Sequence, residues 1–195
     1  MKKLFVFVLM FAGYFSFAES DVGVNFGFLM NHSNYEIDSK QFLKDSKCTF
    51  IGLQNYNFLD SENHFGFFEK LSFGIDNILK IDFLTGPAFG FDIYRDLLRI
   101  ETGAGFHLLY SFDENNEEAY PEKNIDLSNF SLGVGADFKM KFFPHQTVSP
   151  VLGLEAGWDP YCRGVTFIDK KSYYINYTSY YLVYIRPFAG LLCNF

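Results

Sequence analysis

The side chains able to do chemistry fall into four sets. His32 stands beside Ser33, where an imidazole could act as a general base only with suitable geometry. No carboxylate is fixed by spacing to orient that imidazole, so an ordinary polar pair is the preferred reading and catalysis the alternative. Asp113, Glu114, Glu117, Glu118, Glu122 and Asp126 crowd one stretch that could hold a divalent cation or meet a basic surface, although a solvated loop explains them as well. Cys48, Cys162 and Cys193 are odd in number, so at least one is unpaired within the chain. Their spacing matches no zinc site, and an oxidising, exported setting would permit a Cys48–Cys162 bridge. The fourth and largest set is Asp21, Lys80, Asp82, Asp92, Arg99, Glu101, Asp137, Lys139, Lys141, Glu155, Asp159 and Arg186, with His107 among them. No spacing in the chain calls for a cofactor or a metal.

The elements that carry this fourth set explain its pattern. After residue 20 the chain breaks into segments in which apolar and polar residues alternate, the period of a β-strand whose successive side chains point to opposite faces. In Asp21–Met30, Val22, Val24, Phe26 and Phe28 oppose Gly23, Asn25 and Gly27. Leu79–Tyr94, Leu98–Phe112, Asn129–Phe142, Thr147–Asp159 and Tyr181–Phe195 repeat the scheme. The charges all fall on the polar faces and none on the apolar faces of these six segments. Two further segments complete a set of about eight. His64–Asp76 alternates except that Glu69 falls on the apolar face. Cys48–Phe58 loses its phase at Asn55, where a β-bulge would restore it.

Alternation fits either a soluble barrel with an apolar core or a membrane barrel turned inside out. Three features favour the second. The polar faces are rich in Gly, which weakens a strand facing water but makes room for Arg, Lys and Glu inside a narrow barrel. The apolar faces are large and aromatic, drawing on 26 Phe and 13 Tyr. The segments are also longer than the ordinary 5–6 residues, as a tilted membrane strand must be. Hydrophobic residues make up 49% of the chain, yet mean hydropathy is only +0.02. That speaks against a helical membrane protein, which needs about 20 consecutive apolar residues per span.

One long apolar run remains, at the N-terminus. Lys2 and Lys3 precede Leu4–Ala12, and Ser16-Phe17-Ala18 offers small residues at cleavage spacing. Residues 1–18 read as a cleaved secretory signal peptide, leaving 19–195 as one barrel domain. Removing Lys2 and Lys3 takes the formal charge from −7 to −9. An acidic chain without a basic cluster excludes nucleic acid as a partner. The connections predict short turns near Leu59–Asn63, Arg95–Leu97 and Pro144–Gln146, a tight link near Asn77–Ile78, and long loops over Asn31–Lys47, Asp113–Ser128 and Pro160–Tyr180. With the short turns in the periplasm, both chain ends lie there too. Tyr173, Tyr174, Tyr177, Tyr180 and Tyr181 suit the outer interfacial girdle.

The final segment ends on Phe195 with apolar residues at alternate positions before it. This resembles the C-terminal signature of bacterial outer-membrane barrels, in which a terminal Phe marks the strand that the insertion machinery recognises. With the eight-segment pattern, the chain resembles the small OmpA-, OmpX- and OmpW-like barrels over essentially its whole mature length. The resemblance implies an antiparallel up-and-down transmembrane β-barrel in the outer membrane, with the lipid bilayer and the insertion machinery as partners and Phe195 as assembly signal. It brings the enzyme reading of His32 and Ser33 into view, since some such barrels modify lipids, and the OmpW-like members imply a narrow channel for small or apolar solutes. The preferred reading is a non-enzymatic barrel with a structural or surface-display role. Its lumen is filled by a polar network of Lys80, Asp82, Asp92, Arg99, Glu101, His107, Asp137, Lys139, Lys141, Glu155 and Arg186, and any extracellular ligand is unspecified.

Overall fold

The computed structural model describes residues 20–37, 40–59, 64–74, 79–94, 96–113, 125–168, 171–175 and 181–194. The strands are β1 (Ser20–Ile37), β2 (Lys40–Phe58), β3 (Phe65–Gly74), β4 (Leu79–Tyr94), β5 (Leu98–Asp113), β6 (Ile125–Phe142), β7 (Val148–Ile168), β8 (Lys171–Ile175) and β9 (Tyr181–Asn194). Each pairs antiparallel with its neighbour in the chain from β1 to β7. β9 then pairs with both β7 and β1, which closes an eight-stranded barrel. β8 is a short addition that pairs only with the far end of β7. Closure pairs each of the eight barrel strands on both sides, the condition for strands to cross hydrocarbon.

The direction of each face follows from exposure. Phe28, Val134 and Leu191 are 63%, 59% and 55% exposed, whereas Lys70, Glu101 and Glu155 are 0% exposed. Apolar side chains therefore cover the outside, and charges fill the inside, the reverse of a soluble barrel. The interior is not purely polar. Leu29, Cys48, Phe50, Leu109, Leu182 and Tyr184 form one inward apolar cluster, and Tyr56, Phe58, Phe68, Leu84 and Ala88 form another. Adjacent apolar pairs such as Phe67–Phe68, Leu108–Leu109 and Leu191–Leu192 send one member to each face.

Three expectations are corrected. First, β2 contains no bulge. Its pairing with β1 and β3 runs without a register shift, so Asn55 truly faces outward, opposite Glu69. Second, register shifts lie instead on β4–β5, between Asp92 and Tyr94 beside the short turn, and on β6–β7, between Leu132 and Val134. On β7, Trp158, Pro160 and Tyr161 are exposed while Asp159 is buried, and two residues of β6 span three of β7, so the bulge resets the phase of β7. Alternation stops being readable at that point, which is why β7 runs to Ile168 rather than ending at Asp159. Third, much of the expected loops Asn31–Lys47 and Pro160–Tyr180 is strand: β1 and β2 pair out to Ile37 and Lys40, and β7 pairs with β8. The expected 113–128 loop narrows likewise, because β6 begins at Ile125. Its acidic residues 114–122, residues 75–78, and Tyr177 and Tyr180 lie outside the described residues. So do Phe195 and residues 1–19.

The opposite end of the barrel is tied by short turns. Leu97 N donates to Tyr94 O (2.9 Å), and Gln146 N donates to Phe143 O (3.0 Å). Phe143 takes φ 55°, a left-handed conformation uncommon for a side chain of this size. It is held there by bonds from Phe143 N to Leu97 O (2.9 Å) and from Ser149 Oγ to Phe143 O (2.9 Å). Asn194 at the end of β9 donates to Pro144 O (2.9 Å), which fastens the closing strand to the same turn.

Candidate functional site

The lumen gathers titratable groups from every barrel strand. Asp21 comes from β1, Lys70 from β3, Asp82 from β4, Arg99, Glu101 and His107 from β5, Asp137, Lys139 and Lys141 from β6, Glu155 and Asp159 from β7, and Arg186 from β9; β2 contributes the Tyr56 hydroxyl. All are buried. Lys80 is buried on the same face of β4. Asp92, near the short turns, is partly exposed and lies 3.2 Å from Arg99. The odd-even pattern that aims them inward is the alternation of each strand, and the pairing register brings them to common depths.

Two linked clusters result. In the first, Lys70 Nζ lies 2.5 Å from Asp137 and 2.9 Å from Glu155. Arg186 Nη2 lies 2.5 Å from Glu155 and 3.2 Å from Asp82. His107 continues the chain, with Nε2 2.9 Å from Asp82 and Nδ1 2.7 Å from Asp159. Ser131 Oγ then donates to Asp159 at 2.7 Å. Both ring nitrogens of His107 face carboxylates, and only a ring carrying two protons can donate to both. The second cluster lies toward the short turns: Glu101 meets Lys139 at 2.8 Å and Arg99 at 3.0 Å, and Lys141 meets Asp21 at 2.5 Å. Tyr56 joins the two, its hydroxyl donating to Asp137 while Lys139 Nζ sits 3.0 Å from its ring centroid.

Among the described residues the lumen charges balance, with the His107 ring counted as doubly protonated. Lys70, Lys80, Arg99, Lys139, Lys141, Arg186 and the His107 imidazolium face Asp21, Asp82, Asp92, Glu101, Asp137, Glu155 and Asp159. Burying one unpaired charge is costly, and removing one partner of a buried pair leaves the other uncompensated. The opposite charges offset one another, while among the described residues Gln54, Ser72, Tyr184 OH and Arg186 Nη1 keep buried polar atoms without a hydrogen-bond partner. The expected network left out Lys70, although it stands on the polar face of His64–Asp76, and also Tyr56 and Ser131. Lys70 and Ser131 stand in phase with inward neighbours and were legible by parity; Tyr56 sits in the segment whose phase Asn55 obscured.

Aromatic rings complete the fill. Phe188 faces Lys70 Nζ (3.8 Å to centroid), Phe58 faces Arg99 (4.6 Å) and Phe50 faces Arg186 (5.3 Å), geometries that favour cation–π attraction. These rings explain several interior glycines. A Cβ at Gly153 would collide with Phe188, one at Gly157 with Tyr184, and one at Gly103 with Phe68. Others make room for a neighbouring strand's backbone, as Gly86 does against Ala104 O, and Gly133 makes room for a charge, since its Cβ would collide with Trp158 O and with the Asp159 carboxylate.

Other candidates do not converge. Asp82, His107 and Glu155 present ligand atoms within 4.8 Å of one another, but the Arg186 guanidinium already contacts both carboxylates. His32 is exposed beside Tyr181, their ring centroids 6.3 Å apart. The side chains of Ser33 and Cys162 lie outside the described residues; Cys48 is buried in the lumen.

No protein-family model and no curated protein matches the chain. Solved structures do. The outer membrane protein OprG from Pseudomonas aeruginosa is similar over 92% of this chain and 96% of its own, with a TM-score of 0.62 and 10% identity. The outer membrane protein AlkL, solved in lipid bilayers, is similar over 92% and 90%, with a TM-score of 0.57 and 8% identity. The N-terminal β-barrel domain of Pseudomonas aeruginosa OprF is similar over 88% and 97%, with a TM-score of 0.51 and 10% identity. The chain has the fold of the small eight-stranded outer-membrane barrels.

Proposed function

We propose that this protein is an integral barrel of the bacterial outer membrane whose lumen is sealed, and that it serves envelope structure or the display of its strand-extended hairpins rather than catalysis or transport. The observation that carries the reading is the interior network, which draws a group from every barrel strand and leaves Lys70, Asp82, Glu101, His107, Lys139 and Glu155 with no exposed surface. A water-filled pathway would wet these groups; here carboxylates, cations and aromatic rings occupy the space a solute would need. The apolar exterior supports a membrane setting.

The orientation follows the usual asymmetry of such barrels, short turns in the periplasm and longer hairpins outside. β1 starts and β9 finishes at the end that carries the turns at Tyr94–Leu98 and Phe143–Val148, which would make both ends of the barrel periplasmic. Cell fractionation with surface proteolysis tests the assignment. The expected outcome is recovery with outer membranes and cleavage confined to the β1–β2, β5–β6 and β7–β9 connections. Full solubility without detergent, or cleavage at the Phe143–Val148 turn in intact cells, would overturn it.

A further inference from the structure

The lumen wall formed by β1, β2 and β3 is short of side-chain volume and rich in unpartnered polar atoms. Gly52 on β2 pairs with Asn25 on β1 and with Ser72 on β3. A Cβ at Gly52 would lie 2.5 Å from Asn25 Oδ1 and 2.8 Å from Ser72 Oγ. The amide and the hydroxyl therefore both lean over the space that a side chain would fill. Gln54, the next inward residue of β2, stands between Gly23 and Lys70 in the register. Asn25, Gln54 and Ser72 are all buried. Among the described residues Asn25 Nδ2, both Gln54 amide atoms and Ser72 Oγ have no hydrogen-bond partner.

Arg186 passes in front of this wall. It reaches from β9 to Asp82 on β4, the strand partner of Ser72. Three strands, β1, β2 and β3, separate β9 from β4, so the side chain spans the surface that they form. Its Cγ lies 3.2 Å from where a Gly27 Cβ would stand. Nη2 holds both Asp82 and Glu155, while Nη1 has no partner. Leu29 and Phe50, the inward residues that follow Gly27 and precede Gly52, belong to the apolar cluster at the other side of the site.

Buried polar atoms that are left without partners are costly. Here they gather from three strands around one glycine. They include donors and acceptors, so an occupant must both accept and donate. An anion fits poorly: Lys70, Arg186 and the His107 imidazolium already face four carboxylates, those of Asp82, Asp137, Glu155 and Asp159. A cation would meet the unpartnered N–H groups of Asn25, Gln54 and Arg186. Water is neutral, does both jobs, and binds at buried sites through about three hydrogen bonds.

We infer that the β1–β2–β3 wall carries a bound-water site over Gly52, in which ordered water bridges Asn25, Gln54 and Ser72 and reaches Arg186 Nη1. That water completes the hydrogen bonding of the residue that spans the lumen. The inference rests on the reading of the lumen as sealed, which makes this water an enclosed structural component rather than part of a stream.

A crystal structure of the refolded full chain, at a resolution that shows ordered water, tests it, with bromide in the crystallisation medium to reveal an anion by its anomalous signal. Density within hydrogen-bond distance of Asn25, Gln54 and Ser72, without anomalous signal, is expected. Urea unfolding in lipid vesicles supplies an independent reading, with heat-modifiable gel migration as the check that each variant is folded. Gln54→Met and Ser72→Ala should each lower the folding equilibrium constant by about tenfold, the size of a hydrogen bond lost to a buried partner. In a dry site the same changes remove unpartnered groups and leave the barrel as stable or more so. An empty site, a bromide signal at it, or folded variants as stable as the wild type would overturn the proposal. A variant that fails to fold leaves the decision to the density. An empty site in a barrel that passes no current would sink the water site and leave the seal standing, whereas density at the site in a conducting barrel would sink only the seal.

Discussion

Arg186 on β9 reaches Asp82 on β4 across the lumen, 3.2 Å from guanidinium to carboxylate, with both side chains buried. Since β4 and β9 are not neighbours in the sheet, this contact braces opposite walls of the barrel. Arg186 also holds Glu155 on the adjacent strand. Removing it leaves Asp82 with His107 alone and Glu155 with Lys70 alone, and the buried network one positive charge short. Arg186→Met is expected to destabilise the barrel by about 3–5 kcal/mol, read by urea unfolding in lipid vesicles through Trp158 fluorescence. The double change Arg186→Met with Glu155→Met should cost less than the single one, because it restores the charge balance.

The lipid-facing exterior makes a depth-dependent prediction. Phe138 lies on the outer face of β6 between Val134 and Phe142, well inside the apolar band. Phe138→Arg is expected to cost about 2–4 kcal/mol, whereas Leu97→Arg at the β4–β5 turn should cost about 0–1 kcal/mol. Equal costs at the two positions in a vesicle unfolding titration would contradict the depth assignment.

The ring-against-glycine contacts predict intolerance at small positions. Gly157→Ala places a Cβ into the Tyr184 ring and should destabilise by about 1–3 kcal/mol, the usual cost of overpacking a filled interior. Tyr184→Leu, made together with Gly157→Ala, should recover part of that loss, as read from the same unfolding curves.

Much of this was legible in the sequence because a membrane barrel writes its two faces in alternate residues. The inward charges from Lys80 to Arg186 and the apolar exterior both follow from parity alone. Two places resisted, for different physical reasons. At Asn55 the polar residue on the apolar face suggested a bulge, but the backbone is regular and the chemistry is unusual. At Asp159 the backbone is irregular, and the phase reset hid the remainder of β7. The interior rings of Phe50, Phe68 and Phe188 were also hidden, since an aromatic residue carries no sign of which face it joins when its neighbour is apolar too. The pairing of each lumen cation with a particular carboxylate depends on register and depth across non-adjacent strands, which one strand's sequence does not encode.

A balanced thinning of the network should open the lumen without unfolding it. Lys70→Ser, Asp137→Ser, Glu155→Ser and Arg186→Ser together remove two charges of each sign. The barrel should still migrate as a heat-modifiable species and should admit small ions, seen as discrete current steps in planar bilayers. A folded quadruple variant with no conductance would show that the seal lies elsewhere, in the apolar cluster of Leu29, Phe50, Leu109 and Leu182.

The most direct test of the sealed barrel is single-channel recording of the purified, refolded wild-type protein in planar bilayers. The network of Lys70, Asp82, His107, Asp137, Glu155 and Arg186 predicts a current that stays at the level of the protein-free bilayer. Steady, reproducible openings that scale with the amount of protein inserted would contradict it.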